Sequence, residues 1–175
     1  MKINVIYGTD NGNTRRVAEQ IAERCAGRVV DICAATPQDF SDCDLLILGA
    51  PTSGYGDLQV DWECRLGVFS EVGLSGKKVA LFGLGDQMSY CDTFVDAMGL
   101  LYDAVVAQGA VVLGATATSG YDFYSSAAVR EERFVGLALD EDNQQDQTVP
   151  RIAGWVAELV QAAALPVEEL VARAS

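Results

Sequence analysis

Near the middle of the chain lies the run Leu45-Leu46-Ile47-Leu48-Gly49-Ala50-Pro51, whose first four residues are all large and apolar. A strand of a parallel sheet is covered on both faces, so its sequence is apolar at successive positions rather than at alternate ones. Val79 to Phe82 has the same character, and Ile3 to Tyr7 alternates into another strand. These runs predict a parallel sheet, with further strands at Arg28 to Cys33 and at Ala110 to Ala115.

Helical patterns separate the predicted strands. Thr14 to Cys25 is amphipathic, and helices are also predicted for Asp61 to Phe69, Thr93 to Gln108 and Thr148 to Ala164. Because right-handed crossovers place such helices on both faces of a parallel sheet, the alternation predicts a doubly wound α/β fold. The expected architecture is a five-stranded parallel sheet between two layers of helices.

One segment departs from this alternation. Residues 116–143 follow the fifth strand and contain few helix signals, although Phe134 to Leu139 looks like a further piece of strand. The simplest interpretation is a fifth strand that is interrupted by an insertion, and a connection of this length often serves a function. We expect one domain over residues 1–175, whose last part, about 165–175, is a short extra helix or a loose tail.

The composition excludes several classes of function. The chain has 175 residues, 25 acids, 12 bases and no histidine, for a net charge of −13. Such an acidic protein is not suited to bind nucleic acid or an anionic membrane. Without histidine there is no imidazole for a catalytic triad, for a proton shuttle or for zinc ligation.

The cysteines indicate a reducing compartment. The five cysteines form no CxxC pair and no metal-binding framework. We interpret Cys25, Cys33 and Cys43 as small reduced core residues and Cys91 as a loop residue open to oxidation. The chain start lacks the apolar stretch of a signal peptide, and no run is long enough to cross a membrane. We therefore expect a cytoplasmic monomer.

The loop Gly8-Thr9-Asp10-Asn11-Gly12-Asn13-Thr14 follows the first strand and leads into a helix. Ligands bind at the carboxyl ends of the strands in such sheets, and a polar turn before a helix offers N–H groups to an anion. The loop lacks the lysine of a P-loop and has no GxGxxG, which suggests a phosphomonoester bound without a metal. The alternative is an ordinary helix start, in which Asn11 or Asn13 serves as the cap and nothing binds.

Two further loops follow the third and fourth strands, at residues 50–58 and 83–90. Each carries glycines and a tyrosine, so that together they could form a slot for a flat ring, with Tyr90 stacked on one face. Taken alone, a loop tyrosine is more often packed partly against the surface. Three such loops at one sheet edge favour a ring-binding site.

At these residues the chain resembles a long-chain flavodoxin, from Ile3 to about Leu159. The residues that carry the resemblance are Gly83 to Tyr90, Gly120 to Phe123 and Phe134 to Gln144, the last two from the insertion that distinguishes long-chain members. The resemblance implies the strand order 2-1-3-4-5 and a bound FMN. The cofactor-binding residues that it implies are Thr9, Asp10, Asn11, Gly12, Asn13, Thr14, Pro51, Thr52, Ser53, Gly54, Tyr55, Gly56, Leu84, Gly85, Asp86 and Tyr90.

The resemblance also implies roles. The first loop would hold the phosphate, the second would meet the N5 edge of the flavin, Asp86 would accept from the pyrimidine end, and Tyr90 would stack on the outer face. Many family members have tryptophan where this chain has Ser53, so we expect a less covered inner face, with Tyr55 or Leu58 as substitutes. Gly54 is free to adopt positive φ, and its carbonyl could accept from N5 of the semiquinone.

The implied function is a low-potential one-electron carrier that shuttles between semiquinone and hydroquinone. Electrons would come from a flavodoxin reductase or oxidoreductase and pass to an acceptor such as the nitrogenase iron protein, on the similarity of Ala138 to Gln144. Carboxylates near the flavin would make the anionic hydroquinone strongly reducing. They would also attract partners that have basic surface patches. Any single acid, taken alone, is more often a solvated surface group.

Three other classes of protein share parts of this pattern. An FMN-dependent quinone or flavin reductase is the main alternative. Against it, we expect no arginine near the flavin loops, and therefore no nicotinamide site. A receiver domain lacks its phospho-accepting aspartate, since Gly49, Ala50 and Pro51 occupy that position. A thiol phosphatase lacks the required Cys-x5-Arg turn.

Overall fold

The computed structural model describes residues 1–174. In chain order its strands are β1 (Ile3–Tyr7), β2 (Arg28–Asp31), β3 (Leu45–Ser53), β4 (Asp57–Leu58), β5 (Lys78–Leu84), β6 (Val111–Leu113), β7 (Thr116–Ala117), β8 (Val129–Arg130), β9 (Arg133–Phe134) and β10 (Leu137–Leu139). The helices are α1 (Asn13–Cys25), α2 (Pro37–Ser41), α3 (Val60–Arg65), α4 (Val68–Val72), α5 (Asp96–Ala107), α6 (Gln145–Ala163) and α7 (Val167–Ala174).

The central sheet has the predicted order. β1 lies between β2 and β3, and β3 lies between β1 and β5, all parallel. Two strands share the outer edge of β5: Val111 of β6 aligns with Lys78, and Leu137 of β10 aligns with Phe82. With β6 and β10 as the two parts of a fifth strand, the order is 2-1-3-4-5. The doubly wound fold and the interruption of its fifth strand are confirmed.

Strand β3 shows why the sheet lies at the centre of the molecule. Residues 45–50 are fully buried. Because successive side chains of a strand point to opposite faces, Leu46 and Leu48 pack into one core and Leu45 and Ile47 into the other. Helices α1 and α6 cover the second core, and α5 with the short helices α3 and α4 covers the first.

Several boundaries differ from the sequence expectation. The helix predicted over Asp61 to Phe69 is two short helices, because the chain turns at Leu66 and Gly67 between α3 and α4. Strand β2 ends at Asp31 rather than Cys33, whereas β3 continues to Ser53.

Three helix predictions also need correction. Helix α5 begins at Asp96 rather than Thr93, because Val95 before it has a positive φ of 51°. Helix α6 begins three residues before the predicted Thr148, so that Pro150 lies inside it rather than in its first turn. The short helix α2 was not predicted; the capping box of Thr36 and Asp39, followed by Pro37 at its start, stabilises it.

The insertion is β-rich. β7, β9 and β8 form a small antiparallel sheet in that order. The predicted strand piece Phe134 to Leu139 is split, since Phe134 belongs to this small sheet while β10 joins the central one. Gly136 lies at the change of sheet, where an added Cβ would stand 2.2 Å from the Leu81 carbonyl oxygen. Only a residue without a side chain allows that approach.

Of the two expectations for the C-terminal segment, the short extra helix is confirmed and the loose tail is wrong. Helix α7 packs Leu170 against the core, and Ser175 lies outside the described residues. Within residues 1–174, no helix has both the length and the apolar character needed to cross a bilayer. Cys43 is buried and Cys25 half-buried, but the interpretation of Cys33 as a core residue is wrong, because β2 ends before it and leaves it exposed. Cys91, expected as an open loop residue, is partly buried.

Candidate functional site

The first loop presents the start of α1 to a cleft. Its N-cap residue is Gly12, with φ of 91°, and no side chain caps the helix. The Thr9 hydroxyl accepts from the Gly12 N–H at 2.9 Å, and Asn11 Oδ1 accepts from the Asn13 N–H at 3.3 Å. The alternative in which Asn11 or Asn13 is the N-cap is therefore wrong. Helix N–H groups in the first turn have no intrahelical partner, and Asn13 and Thr14 of this turn line an open cleft that is suited to an anion.

Asp10 has a different position from the one that the sequence suggested. Its carboxylate accepts from the Ser53 hydroxyl at 3.3 Å and from Gln59 Nε2 at 3.2 Å. Gln59 is 1% exposed, so this contact is anchored in the interior. Asp10 thus ties the first loop to the second and does not line the cleft.

The second loop is a tight hairpin. Ser53 pairs with Asp57 and Thr52 with Leu58, where β3 meets β4. Between them Gly54 has φ of 52° and Gly56 has φ of 95°, the left-handed region that favours glycine. Leu58 packs into the core, so it does not replace the missing tryptophan as a cover.

Tyr55 lies at the tip of this hairpin. It is 87% exposed, and its ring centroid lies 6.3 Å from that of Tyr90. The hairpin therefore brings the second loop beside the predicted outer aromatic residue, at the open edge of the cleft.

The third loop is held in a fixed shape. An added Cβ on Gly85 would stand 2.9 Å from the Val95 nitrogen, so the loop can lie this close to the chain behind it only with glycine there. Asp86 Oδ1 accepts from the N–H groups of Met88 and Ser89 and from Asn143 Nδ2 at 2.8–3.0 Å. Burial acts to raise the pKa of Asp86, but these hydrogen bonds outweigh it and hold the pKa below its ordinary value.

The loops enclose a cleft of about 310 Å³ at the carboxyl edge of the sheet. The residues that line it are Asn11, Asn13, Thr14, Pro51, Thr52, Leu84, Gly85, Asp86, Tyr90, Glu141 and Asp142. The other predicted site residues, Thr9, Asp10, Gly12, Ser53, Gly54, Tyr55 and Gly56, lie in the same loops, as supports or at the rim.

Glu141 and Asp142 were expected only among the carboxylates around the flavin, and not as residues that line its site. They follow β10, so they lie at the same sheet edge as the loops after β1, β3 and β5. Applying the strand-end rule to the second half of the interrupted strand would have found them.

These two acids make one wall of the cleft negative. Glu141 is 10% exposed, accepts from the Thr148 hydroxyl and lies 3.5 Å from Arg16. Arg16 also donates to Asn13 Oδ1 at 2.7 Å, so the expectation that no arginine lies near the flavin loops is wrong. Partial burial and the neighbouring charges of Asp86, Asp140 and Glu141 raise the pKa of Asp142. The cleft thus offers N–H groups at the start of α1, a slot between two backbone loops beside Tyr90, and carboxylates along one side.

The comparisons with known proteins agree with this arrangement. A family model described as Flavodoxin matches residues 5–155. The flavodoxin of Synechocystis sp. is 46% identical over 162 residues, which cover 90% of this chain and 95% of that protein. This chain belongs to the flavodoxin family. Its length of 175 residues fits the long-chain type that the resemblance implied.

Other flavodoxins match over similar lengths. The flavodoxin of Klebsiella pneumoniae is 42% identical over 168 residues, with 90% of this chain and 96% of that protein covered. The crystal structure of Fusobacterium nucleatum flavodoxin, which is bound to flavin mononucleotide, superposes with a TM-score of 0.87 at 30% identity. That match covers 91% of this chain and 97% of the other. Flavodoxins are electron-transfer flavoproteins and not enzymes, which confirms the expectation of a carrier rather than a reductase.

Proposed function

We propose that this flavodoxin binds FMN in the cleft and carries single electrons at low potential between two redox proteins. The observation that supports this most strongly is the convergence of three strand-end loops on one cleft, which is lined both by the start of α1, a helix with no side-chain cap, and by Tyr90. FMN has a phosphate at one end and a flat ring at the other, and these two parts of the lining suit these groups.

The phosphate would bind at the start of α1. The loop from Thr9 to Thr14 offers backbone N–H groups and the side chains of Asn11, Asn13 and Thr14, which line the cleft. A phosphate gains from both the unpaired N–H groups and the positive end of the helix dipole. Gly12 gives the loop its positive φ, and the Thr9 hydroxyl fixes the turn from behind.

The ring would lie between the second and third loops. Pro51, Thr52, Leu84 and Gly85, none of them charged, line the slot, which suits a flat ring. Tyr90 would cover the outer face, and Asp86 would accept from the pyrimidine end. The hairpin at Ser53 leaves the inner face without a tryptophan, so we expect a more open dimethylbenzene edge.

The low potential would come from the acids around the ring. Bound FMN supplies the ability to take up and release one electron at a time. Glu141 and Asp142 line the cleft, and Asp86 is held ionised by its hydrogen bonds. Negative groups disfavour further negative charge on the cofactor, so its most reduced form gives up an electron readily.

The same charge indicates the kind of partner. With 25 acids against 12 bases, the protein would be steered toward redox proteins with basic patches. We propose a flavodoxin reductase or oxidoreductase as donor and the nitrogenase iron protein as one acceptor, the latter on the resemblance at Ala138 to Gln144. The protein would work in the cytoplasm as a monomer built of one domain.

A stopped-flow experiment tests the carrier. The FMN-loaded protein is mixed with NADPH alone, and with NADPH plus a catalytic amount of a flavodoxin reductase. We expect reduction only in the second mixture, at a rate that falls steeply as salt is added. Rapid reduction by NADPH alone would indicate a flavin reductase, and a rate independent of salt would contradict steering by the acids.

A further inference from the structure

A buried carboxylate lies behind the acidic wall of the cleft. Asp140 follows β10 directly and is completely inaccessible to solvent. Its Oδ1 accepts from the N–H groups of Asp142 and Asn143 at 3.1 and 2.9 Å, which fixes the turn that carries the cleft residues Glu141 and Asp142.

The second oxygen of Asp140 reaches a different loop. Oδ2 accepts from the backbone N–H of Gln87 at 3.1 Å and from its side-chain Nε2 at 2.8 Å. Gln87 is 2% exposed and lies in the third loop, next to the cleft residue Asp86. The Asn143 side chain adds a bridge, because its Nδ2 donates to both Asp140 and Asp86. One carboxylate therefore joins two loops that line the cleft.

The insertion is attached to the same point. Gln87 Oε1 accepts from the backbone N–H of Asp122 at 2.5 Å. Further along, the N–H groups of Tyr124 and Ser125 donate to the Cys91 carbonyl, so the insertion runs beside the third loop. Gln87 is thus held between Asp140 on one side and the insertion on the other.

We infer that Asp140 and Gln87 form a buried pair of positioning residues that fixes the third loop against the acidic turn after β10, and so sets the position of one side of the ring-binding slot. All the donors to Asp140 are uncharged. Because there are several of them, their hydrogen bonds offset the cost of burying the carboxylate. A residue that only shaped its own turn would need Oδ1 alone. The bonds from Oδ2 to a loop 53 residues away hold the third loop at a fixed distance from the acidic turn after β10. This inference rests on the proposed site for FMN.

Substitution of either residue should weaken FMN binding. In Asp140→Asn, the amide can face only one of the two donor groups with its oxygen, so the other group loses its acceptor. Gln87→Met keeps the length of the side chain and removes its hydrogen bonds. We expect the FMN dissociation constant of each variant to rise about tenfold, and that of the double variant to rise little further, because both break the same link.

A matched control separates positioning from general stability. Asp39 is another buried carboxylate, 6% exposed, which accepts from the Thr36 N–H at 2.8 Å near the start of β1, at the opposite end of the sheet. Because Asp39 also pairs with Arg28, Asp39→Asn should lower the free energy of unfolding of the apoprotein at least as much as Asp140→Asn does, yet change the FMN dissociation constant less than about twofold.

Two spectroscopic measurements complete the test. In the Asp140→Asn apoprotein, the amide protons of Met88 and Ser89 should exchange faster than in the original protein, and the visible circular dichroism of bound FMN should change. Unchanged FMN binding, dichroism and exchange in both variants would overturn the inference. Failure of the unaltered protein to bind FMN would instead contradict the proposed site itself.

Discussion

The rings of Tyr55 and Tyr90 lie edge to face, with centroids 6.3 Å apart and planes inclined by 73°. Tyr90 lines the cleft, whereas Tyr55 is 87% exposed at the tip of the β3–β4 hairpin. The two rings therefore meet nearly perpendicular to each other at the rim of the cleft, and Tyr90 is the one that lines it. In this chain the hairpin thus contributes to the outer side of the slot, although Ser53 gives the inner side no aromatic cover.

From this relationship we predict unequal effects of the two tyrosines. Tyr90→Ala removes a stacking face and should raise the FMN dissociation constant about tenfold or more. Tyr55→Ala removes only a neighbour of that ring and should raise it less than about threefold. Fluorescence titration of each apoprotein with FMN measures both values. A larger loss in Tyr55→Ala would mean that Tyr55, and not Tyr90, covers the ring.

The phosphate end can be tested with a near-isosteric change. Asn11→Asp keeps the acceptor for the Asn13 N–H but adds a negative charge beside the proposed phosphate site. We expect about tenfold weaker binding of FMN at low salt. Riboflavin, which has no phosphate, serves as the control ligand, and its affinity should stay the same. An equal loss for both ligands would place the phosphate elsewhere.

The hairpin glycine should influence the redox behaviour. Gly54 has φ of 52°, and an added Cβ would stand 2.5 Å from the Asp57 carboxylate. Gly54→Ala should therefore restrict a peptide flip that offers the Gly54 carbonyl to the flavin. In a reductive titration we expect a smaller maximal fraction of the one-electron-reduced form.

Gly73→Ala is a suitable control for backbone strain. Gly73 also has positive φ, 66°, and its added Cβ would meet no atom within 4 Å. It follows the short helix α4 and lies outside the cleft lining. This variant should lose stability without changing the titration. If both variants gave the same fraction of one-electron-reduced form as the unaltered protein, the carbonyl of Gly54 would have no such role.

Ionisation of Asp142 should lower the stability of the apoprotein as the pH rises. Its pKa is raised, so the folded state holds this proton more tightly than the unfolded state, and stability is lost as the pH rises through the interval from the unfolded pKa, about 4, to the folded one. Asp142→Asn should increase the free energy of unfolding at pH 7, by less than about 1 kcal/mol because the side chain is largely exposed.

The measurement is urea unfolding of the apoprotein at several pH values. The gain from Asp142→Asn should disappear below the unfolded pKa, where the carboxyl is protonated in both states. A gain that is the same at acid and neutral pH would show that the charge of Asp142 is not its cause.

The sequence was most informative where burial and chain order decide the structure. The apolar run at Leu45 and the alternation of strands and helices were enough for the parallel, doubly wound sheet and for the three loops, whereas the strand order came from the family resemblance. The family resemblance added the assignment of Gly120 to Phe123 to the insertion that interrupts the fifth strand. These features depend on local composition, which the chain displays directly.

Features that depend on packing between distant segments could not be predicted. Leu58 turns into the core because β4 pairs with β3, and Asp10 faces Gln59 rather than the cleft. The link from Asp140 to Gln87 joins residues 53 positions apart, and no local pattern indicates it. The helix cap at Gly12 was missed because a positive φ, and not a side chain, begins α1.

A potentiometric titration of the FMN-loaded protein decides whether it is a low-potential one-electron carrier. Visible spectra recorded during stepwise reduction should show two separate one-electron steps, with the second at a potential well below that of free FMN. A single two-electron step near the potential of free FMN would contradict the proposed function.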